Sequence, residues 1–208
     1  MNYIEFQNAF QDFTVFSLQD IKQLDSHFYR ARLNEWQDKG YISKIIKGFY
    51  TFSNLKLNEH LLFEIANKIY SPSYVSLETA LSFYHFIPES IYRITSVSTR
   101  RTCRFETSIA GFTFQTVRPN LFFGYELLQH QNKYYKMASP EKAFLDYFYL
   151  NPHLKIENDF ASLRIDETSF FEQINEKRLV TFLNKFSQKT LSERVRKFWK
   201  FYSRELKD

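Results

Sequence analysis

Four places in the chain carry side chains able to do chemistry. Ser76 lies where Tyr74-Val75 reads as strand and Leu77 to Tyr84 as helix. A serine at a strand-to-helix turn is where an activated nucleophile sits in some hydrolases. No glycine flanks Ser76 to permit a tight elbow, so it reads as an N-cap whose hydroxyl accepts from a free N–H of the first turn. Glu141, Lys142 and Asp146 place two carboxylates and an amine on one helix. Here too a structural role is the better expectation. Glu141 opposes the helix dipole, and Lys142 with Asp146 is an i,i+4 pair worth about a few tenths of a kcal/mol. No nucleophile–base pair is fixed by this spacing, so no catalytic residue is assigned and the chain reads as a non-enzyme. Cys103 stands between Arg101 and Arg104, which invites a reactive-thiol reading; a lone cysteine is more often a small apolar residue. His60 has no second histidine or acid at ligand spacing, so no metal site is expected.

A different chemistry is offered near the N-terminus. His27, Tyr29, Arg30, Arg32 and Asn34 crowd one segment, and Lys44 and Lys47 follow it. Arginine suits guanine O6 and N7, and asparagine suits adenine; lysines meet phosphates without choosing a sequence. The elements that would carry them can be read in order. Ile4–Phe10 is a short helix. Ser17 caps a second, with Leu18, Ile21 and Leu24 apolar. Ser26 can cap a third, HFYRARLNEWQDK, ended by Gly40, with Phe28, Leu33 and Trp36 facing inward. YISKIIKGFYTF then reads as a hairpin, Tyr41–Ile45 and Phe49–Phe52, turning at Lys47-Gly48. Three helices and a hairpin are the order of a winged helix-turn-helix, whose third helix enters the major groove. Charge urges caution: residues 1–52 hold six basic and six acidic side chains, and only the half from His27 to Phe52 is net positive. Winged helices also dock proteins, so both readings stay open.

The expected fold class is α+β. Residues 1–56 would form the winged helix, and residues 57–208 a helical, mostly antiparallel-sheet domain with C-terminal helices. Asn58 caps a helix with the stripe Leu61, Leu62, Ile65 and Ile69. Pro72 ends it, and Pro88-Glu89 can start a further turn. Alternation predicts strands over RITSVSTR, over two arms about Ala110-Gly111, and over two about His130–Lys133. Ser139 as N-cap and Pro140 at N1 start a helix whose Ala143, Phe144, Tyr147 and Phe148 face the core. Residues 151–175 read as a loop with one short helix near Phe170. NEKRLVTFLNKF is helical, and a last amphipathic helix presents Leu191, Val195, Phe198, Trp199, Tyr202 and Leu206. From Lys177 to Lys207 ten basic residues face two acidic ones, a net +8 against +5 for the whole chain. Arg194, Arg196, Lys197 and Lys200 on that helix, and Arg93, Arg100, Arg101 and Arg104 after residue 92, are surfaces open to DNA or to an acidic partner.

Composition narrows the classes. With 4 glycines the chain has neither GxGxxG nor GxxxxGKS, so no cofactor or nucleotide loop is expected. One cysteine excludes an internal disulfide and favours a reducing compartment. No signal peptide is evident, and no apolar run approaches the roughly 18 residues that span a bilayer. A cytoplasmic protein without membrane partners is expected; its oligomeric state is left open.

The runs WQDKGYISKIIKGFYTF, PSYVSLETALSFYHFIPESIYRITSVSTRR, FFGY and ASPEKAFLDYFY resemble the AbiEi-type antitoxins of type IV toxin–antitoxin (abortive-infection) systems. The matching residues are Gly40, Ile42, Gly48 and Tyr50 in the wing, then Tyr74, Ser76, Thr79, Ala80 and Leu81, then Ile94 and Thr95. Pro140, Glu141, Lys142, Ala143, Leu145 and Asp146 complete the "P-E-K-A-x-L-D" helix. Tyr84-His85-Phe86 departs from the family's usual His-Gly, and the spacing through Ser98–Arg101 differs slightly. The resemblance spans about residues 5 to 150 and leaves out the basic tail. It implies a repressor that binds inverted repeats in its own promoter DNA. It further implies an antitoxin against a nucleotidyltransferase-like toxin usually encoded beside it, with direct toxin contact left open.

Overall fold

The computed structural model describes residues 1–88 and 93–205. Glu89, Leu206 and Lys207 lie outside the described residues. The first helix, α1 (Tyr3–Phe10), opens with a capping box between Asn2 and Glu5. A two-residue strand, β1 (Phe16–Ser17), leads into α2 (Leu18–Leu24), which Ser17 caps through the Asp20 N–H as expected. Of its three apolar residues only Ile21 is buried; Leu24 is exposed.

The third helix, α3 (Ala31–Asp38), is shorter than the sequence suggests. Ser26 does not cap it; its hydroxyl meets His27 Nδ1 at 3.1 Å. Asp25 Oδ1 instead accepts from the His27 N–H, an Asx turn that competes with helix here. Asp25 is itself fixed by the Met1 ammonium at 2.9 Å. Arg30 therefore stands at the N-cap, and His27 and Tyr29 precede the helix.

Gly40, at φ +70°, ends α3. Strands β2 (Ile42–Ile46) and β3 (Phe49–Phe52) form the expected hairpin, with a bulge between Lys44 and Ile46 and Gly48 at φ +91° in the turn. Strand β1 pairs with β3, giving the order β1-β3-β2. Phe6, Phe10, Phe16, Ile21, Phe28, Leu33, Trp36, Ile42, Tyr50 and Phe52 make one apolar cluster.

A second, larger cluster belongs to the body. Helix α4 (Glu59–Ile69) is capped by Asn58. Its buried face centres on Phe63, Ile65, Ala66 and Ile69, and Leu61 and Leu62 are only half-buried. Then come β4 (Ser73–Val75), α5 (Leu77–Phe83), β5 (Arg93–Ser98), β6 (Cys103–Glu106) and β7 (Gly111–Thr116). A single 3-10 turn precedes β8 (Tyr125–His130) and β9 (Lys133–Ala138), and α6 (Pro140–Leu150) follows. The sheet order is β6-β7-β5-β4-β9-β8.

This sheet is mostly antiparallel, as expected, but mixed, with two parallel pairs the sequence did not announce. The pairs β5·β7 and β4·β9 are parallel, while β4·β5, β6·β7 and β8·β9 are antiparallel. Both hairpins are legible from their turns; parallel pairs need crossovers that no local signal announces.

Residues 151–175 hold two helices where one was expected: α7 (Glu157–Ser162) and α8 (Glu167–Gln173). Each is anchored by a fully buried ring, Phe160 and Phe170, which meet Phe198 at 5.6 and 5.5 Å between centroids. Helices α9 (Glu176–Phe186) and α10 (Lys189–Glu205) close the chain. Leu191, Val195, Phe198 and Tyr202 of α10 are buried and Trp199 is half-buried. Among the described residues no helix is long and apolar enough to cross a membrane.

Candidate functional site

The seven residues proposed to read or hold a duplex are all exposed. His27, Tyr29 and Arg30 lead into α3, Arg32 and Asn34 lie on its outer face, and Lys44 and Lys47 stand on the β2–β3 hairpin. The apolar face of α3, Leu33 and Trp36, is spent on the small core, which turns its polar side outward. Arg32 has a second task, because its guanidinium donates to the Met1 carbonyl. The helix is not uniformly basic: Glu35 pairs with Lys39 at 2.6 Å, which holds the Glu35 carboxyl below its usual range. The surface offers two guanidinium groups, one carboxamide and an exposed phenol beside two hairpin ammonium groups.

The second arginine group divides over two faces. Strand alternation puts Arg104 and Glu106 on one side of β6, where Arg93 pairs with Glu106. Phe105, on the other side, packs against Tyr70 and Phe114. Arg100 lies over the Tyr70 ring at 4.0 Å and donates to the Ser71 carbonyl at 3.1 Å. With Lys47, Lys68 and Phe49 it lines a cleft of about 480 Å³ between hairpin and body. Arg101 is exposed.

On α10, Arg196, Lys197 and Lys200 are exposed, but Arg194 is not a surface residue. It is 8% exposed and donates to the carbonyls of Phe148, Asn151 and Leu154 at 2.8, 3.1 and 3.4 Å. The end of α6 leaves carbonyls unsatisfied, and this guanidinium takes them up. Counting charge along α10 could not separate it from its exposed neighbours.

The largest correction concerns Ser76, Lys142 and Asp146. Ser76 makes no cap; its hydroxyl donates to Asp146 Oδ2 at 3.0 Å. Tyr74 donates to the same oxygen at 2.8 Å, and Lys142 pairs with Oδ1. Lys142 and Asp146 are 0% exposed, so they are no surface pair. The Lys142 ammonium also sits 4.8 Å from the Phe186 ring centre and 4.9 Å from that of Phe123. Burial pushes the Asp146 carboxyl above its usual range and the Lys142 ammonium below its own. Burial likewise carries the Tyr74 phenol well up. Glu141 is buried too, accepting from Ser139 Oγ at 2.9 Å and the Asn175 N–H at 3.0 Å, with Arg178 at 3.6 Å.

One further group escaped the sequence altogether. His60 stacks on His130 with centroids 3.8 Å apart, and its Nδ1 lies 2.8 Å from the Tyr135 hydroxyl. Seventy residues separate the two rings, so no spacing rule could join them. Among the described residues no group of three or more His, Cys, Asp or Glu could hold a metal ion. No family model matches the chain. No curated protein matches it as a relative.

Proposed function

We propose that this chain is a winged-helix repressor of its own promoter and the antitoxin of a type IV toxin–antitoxin system, acting in the cytoplasm. The carrying observation is the exposed face of α3, with Arg32 and Asn34 outward beside a hairpin that projects Lys44 and Lys47. The element order α1-β1-α2-α3-β2-β3 and the sheet order β1-β3-β2 support a winged helix. In this reading α3 enters the major groove, Arg30, Arg32 and Asn34 meet base edges, and Lys44 and Lys47 meet phosphates. The antitoxin half rests on the four motifs quoted above and on their order.

The buried Tyr74–Ser76–Lys142–Asp146 cluster is assigned to architecture, not catalysis. It joins β4, the start of α5 and α6 through side chains that no substrate reaches. We therefore read the protein as a non-enzyme.

A second reading has its own observation. Glu35 and Asp38 share the outer surface of α3 with the basic groups, a mixed face that suits docking to a protein. A mobility-shift titration with the DNA upstream of its own gene, at low salt, separates the two. Sequence-selective binding is expected; no shift would remove the repressor. Co-expression with the product of an adjacent nucleotidyltransferase-like gene tests the antitoxin, which should restore growth.

A further inference from the structure

Exposed sheet edges invite pairing with other chains, and proteins guard them with short strands, lysine, proline or bulges. Among the described residues, three of the four edge strands are guarded in this way. Strand β1 has two residues; β2 carries Lys44 and a bulge; β6 has four residues and exposes Arg104 and Glu106. Strand β8 is different. It runs six residues, YELLQH, without lysine, proline or glycine, and pairs with β9 in unbroken register. Leu127 on this edge is 64% exposed, and Tyr134 on β9, directly across from Gln129, is 52% exposed. Strand β8 packs chiefly on β9.

We propose that β8 is an interface between two copies of this chain, joined antiparallel about a two-fold axis into one continuous sheet. The sequence of the edge is self-complementary in one register. With Leu128 opposite Leu128 of the second copy, Glu126 falls opposite His130 and Leu127 opposite Gln129. Glu126 and His130 are already engaged within each copy, by Arg178 at 2.7 Å and by the stacked His60, so the match rests on the exposed row, where the two Leu127 side chains become diagonal neighbours across the axis, within reach of one another. Main-chain hydrogen bonds supply the affinity, as in strand addition generally, and the symmetry closes the assembly at two copies. A foreign strand would gain the backbone bonds but not the Leu127–Leu127 contact.

Sedimentation equilibrium of the full chain over a concentration series tests this. A reversible dimer is expected. Leu127→Glu sets two carboxylates diagonally across the axis, and Gln129→Lys adds an unpaired charge there. Each should weaken the dimer about tenfold. Both positions are exposed, so the melting temperature measured at dilution, where the wild-type chain is monomeric, should not move. The double variant L127E/Q129K places opposite charges face to face in this register and should restore the dimer. A control at the guarded edge, Arg104→Ala, should change nothing. A chain monomeric at every concentration, a dimer indifferent to both single variants, or a double variant that stays monomeric would each overturn the assignment.

Discussion

Asp146 has three partners and no solvent. Tyr74, Ser76 and Lys142 all meet its carboxylate. Removing one charge of a buried pair strands the other, which is far more damaging than losing a surface pair. Asp146→Asn keeps the shape and leaves the Lys142 ammonium unpaired, so it should destabilise the fold by about 3–5 kcal/mol. Adding Lys142→Met to that variant should recover much of the loss, because no buried charge remains. Urea midpoints of the three proteins decide; a single variant with an unmoved midpoint would contradict the burial. His60 carries a second residue-scale prediction. Burial, aided by the charge of His130, holds the His60 pKa below its ordinary 6.5. Between that lowered value and 6.5 the unfolded chain binds the proton that the folded chain refuses. Stability is therefore full above about pH 6.5 and falls as the pH drops through the window. His60→Gln should flatten this part of the pH profile of the urea midpoint. A variant that keeps the wild-type slope would place the effect elsewhere.

At the scale of elements, α3 and the hairpin have separable tasks in the proposed function. Arg30→Ala or Asn34→Ala should cost about 1–3 kcal/mol at the preferred site and relax discrimination there. Lys44→Gln or Lys47→Gln should weaken all duplexes alike and lower the salt slope by about one unit each. Competition binding at several salt concentrations reads both quantities. Arg32→Ala is the less clean variant, because Arg32 also donates to the Met1 carbonyl. A uniform loss from Arg30→Ala, with no change in discrimination, would move α3 out of the groove. The same scale explains which elements were legible. Ser17, Asn58 and Ser139 each cap a helix through their own side chains, and caps act within one turn. Ser26 and Ser76 have the same chemistry and cap nothing, because His27 and Asp146 occupy them. A cap signal thus reports an opportunity, and the neighbour in space decides whether it is taken.

Among the described residues two apolar clusters meet where the N-terminal part packs on the body. Val15 and Ile45 come from the N-terminal part but pack with the body. Thr14 Oγ1 donates to Glu64 of α4 at 2.5 Å, and Thr51 Oγ1 donates to the Thr14 carbonyl at 2.8 Å. Ile46 and Phe49 of the hairpin pack against the body cluster as well, and Lys68 lies over the Phe13 ring, so these contacts set how tightly the two parts unfold together. Val15→Ala with Ile45→Ala should split a single calorimetric transition into two, or broaden it measurably, since Ile45→Ala typically costs about 2–5 kcal/mol and the smaller truncation at Val15 adds to it. A single sharp transition in the double variant would show that other contacts couple the parts.

By itself the sequence determined what depends on near neighbours. Every helix but α7, though with α3 begun too early, and both body hairpins follow from caps, turn residues and alternation, which act over a few residues. The exposure of His27, Tyr29, Arg30, Arg32, Asn34, Lys44 and Lys47 was legible for the same reason, since Leu33, Trp36 and Ile42 claim the inward faces. Tertiary structure alone decided the parallel pairs β5·β7 and β4·β9, the burial of Lys142, Asp146 and Arg194, and the stacking of His60 on His130. A charged side chain looks the same in the sequence whether it faces water or, like Asp146, hydroxyls about seventy residues away. Only packing of distant segments removes the water, and with it the option of remaining a surface charge.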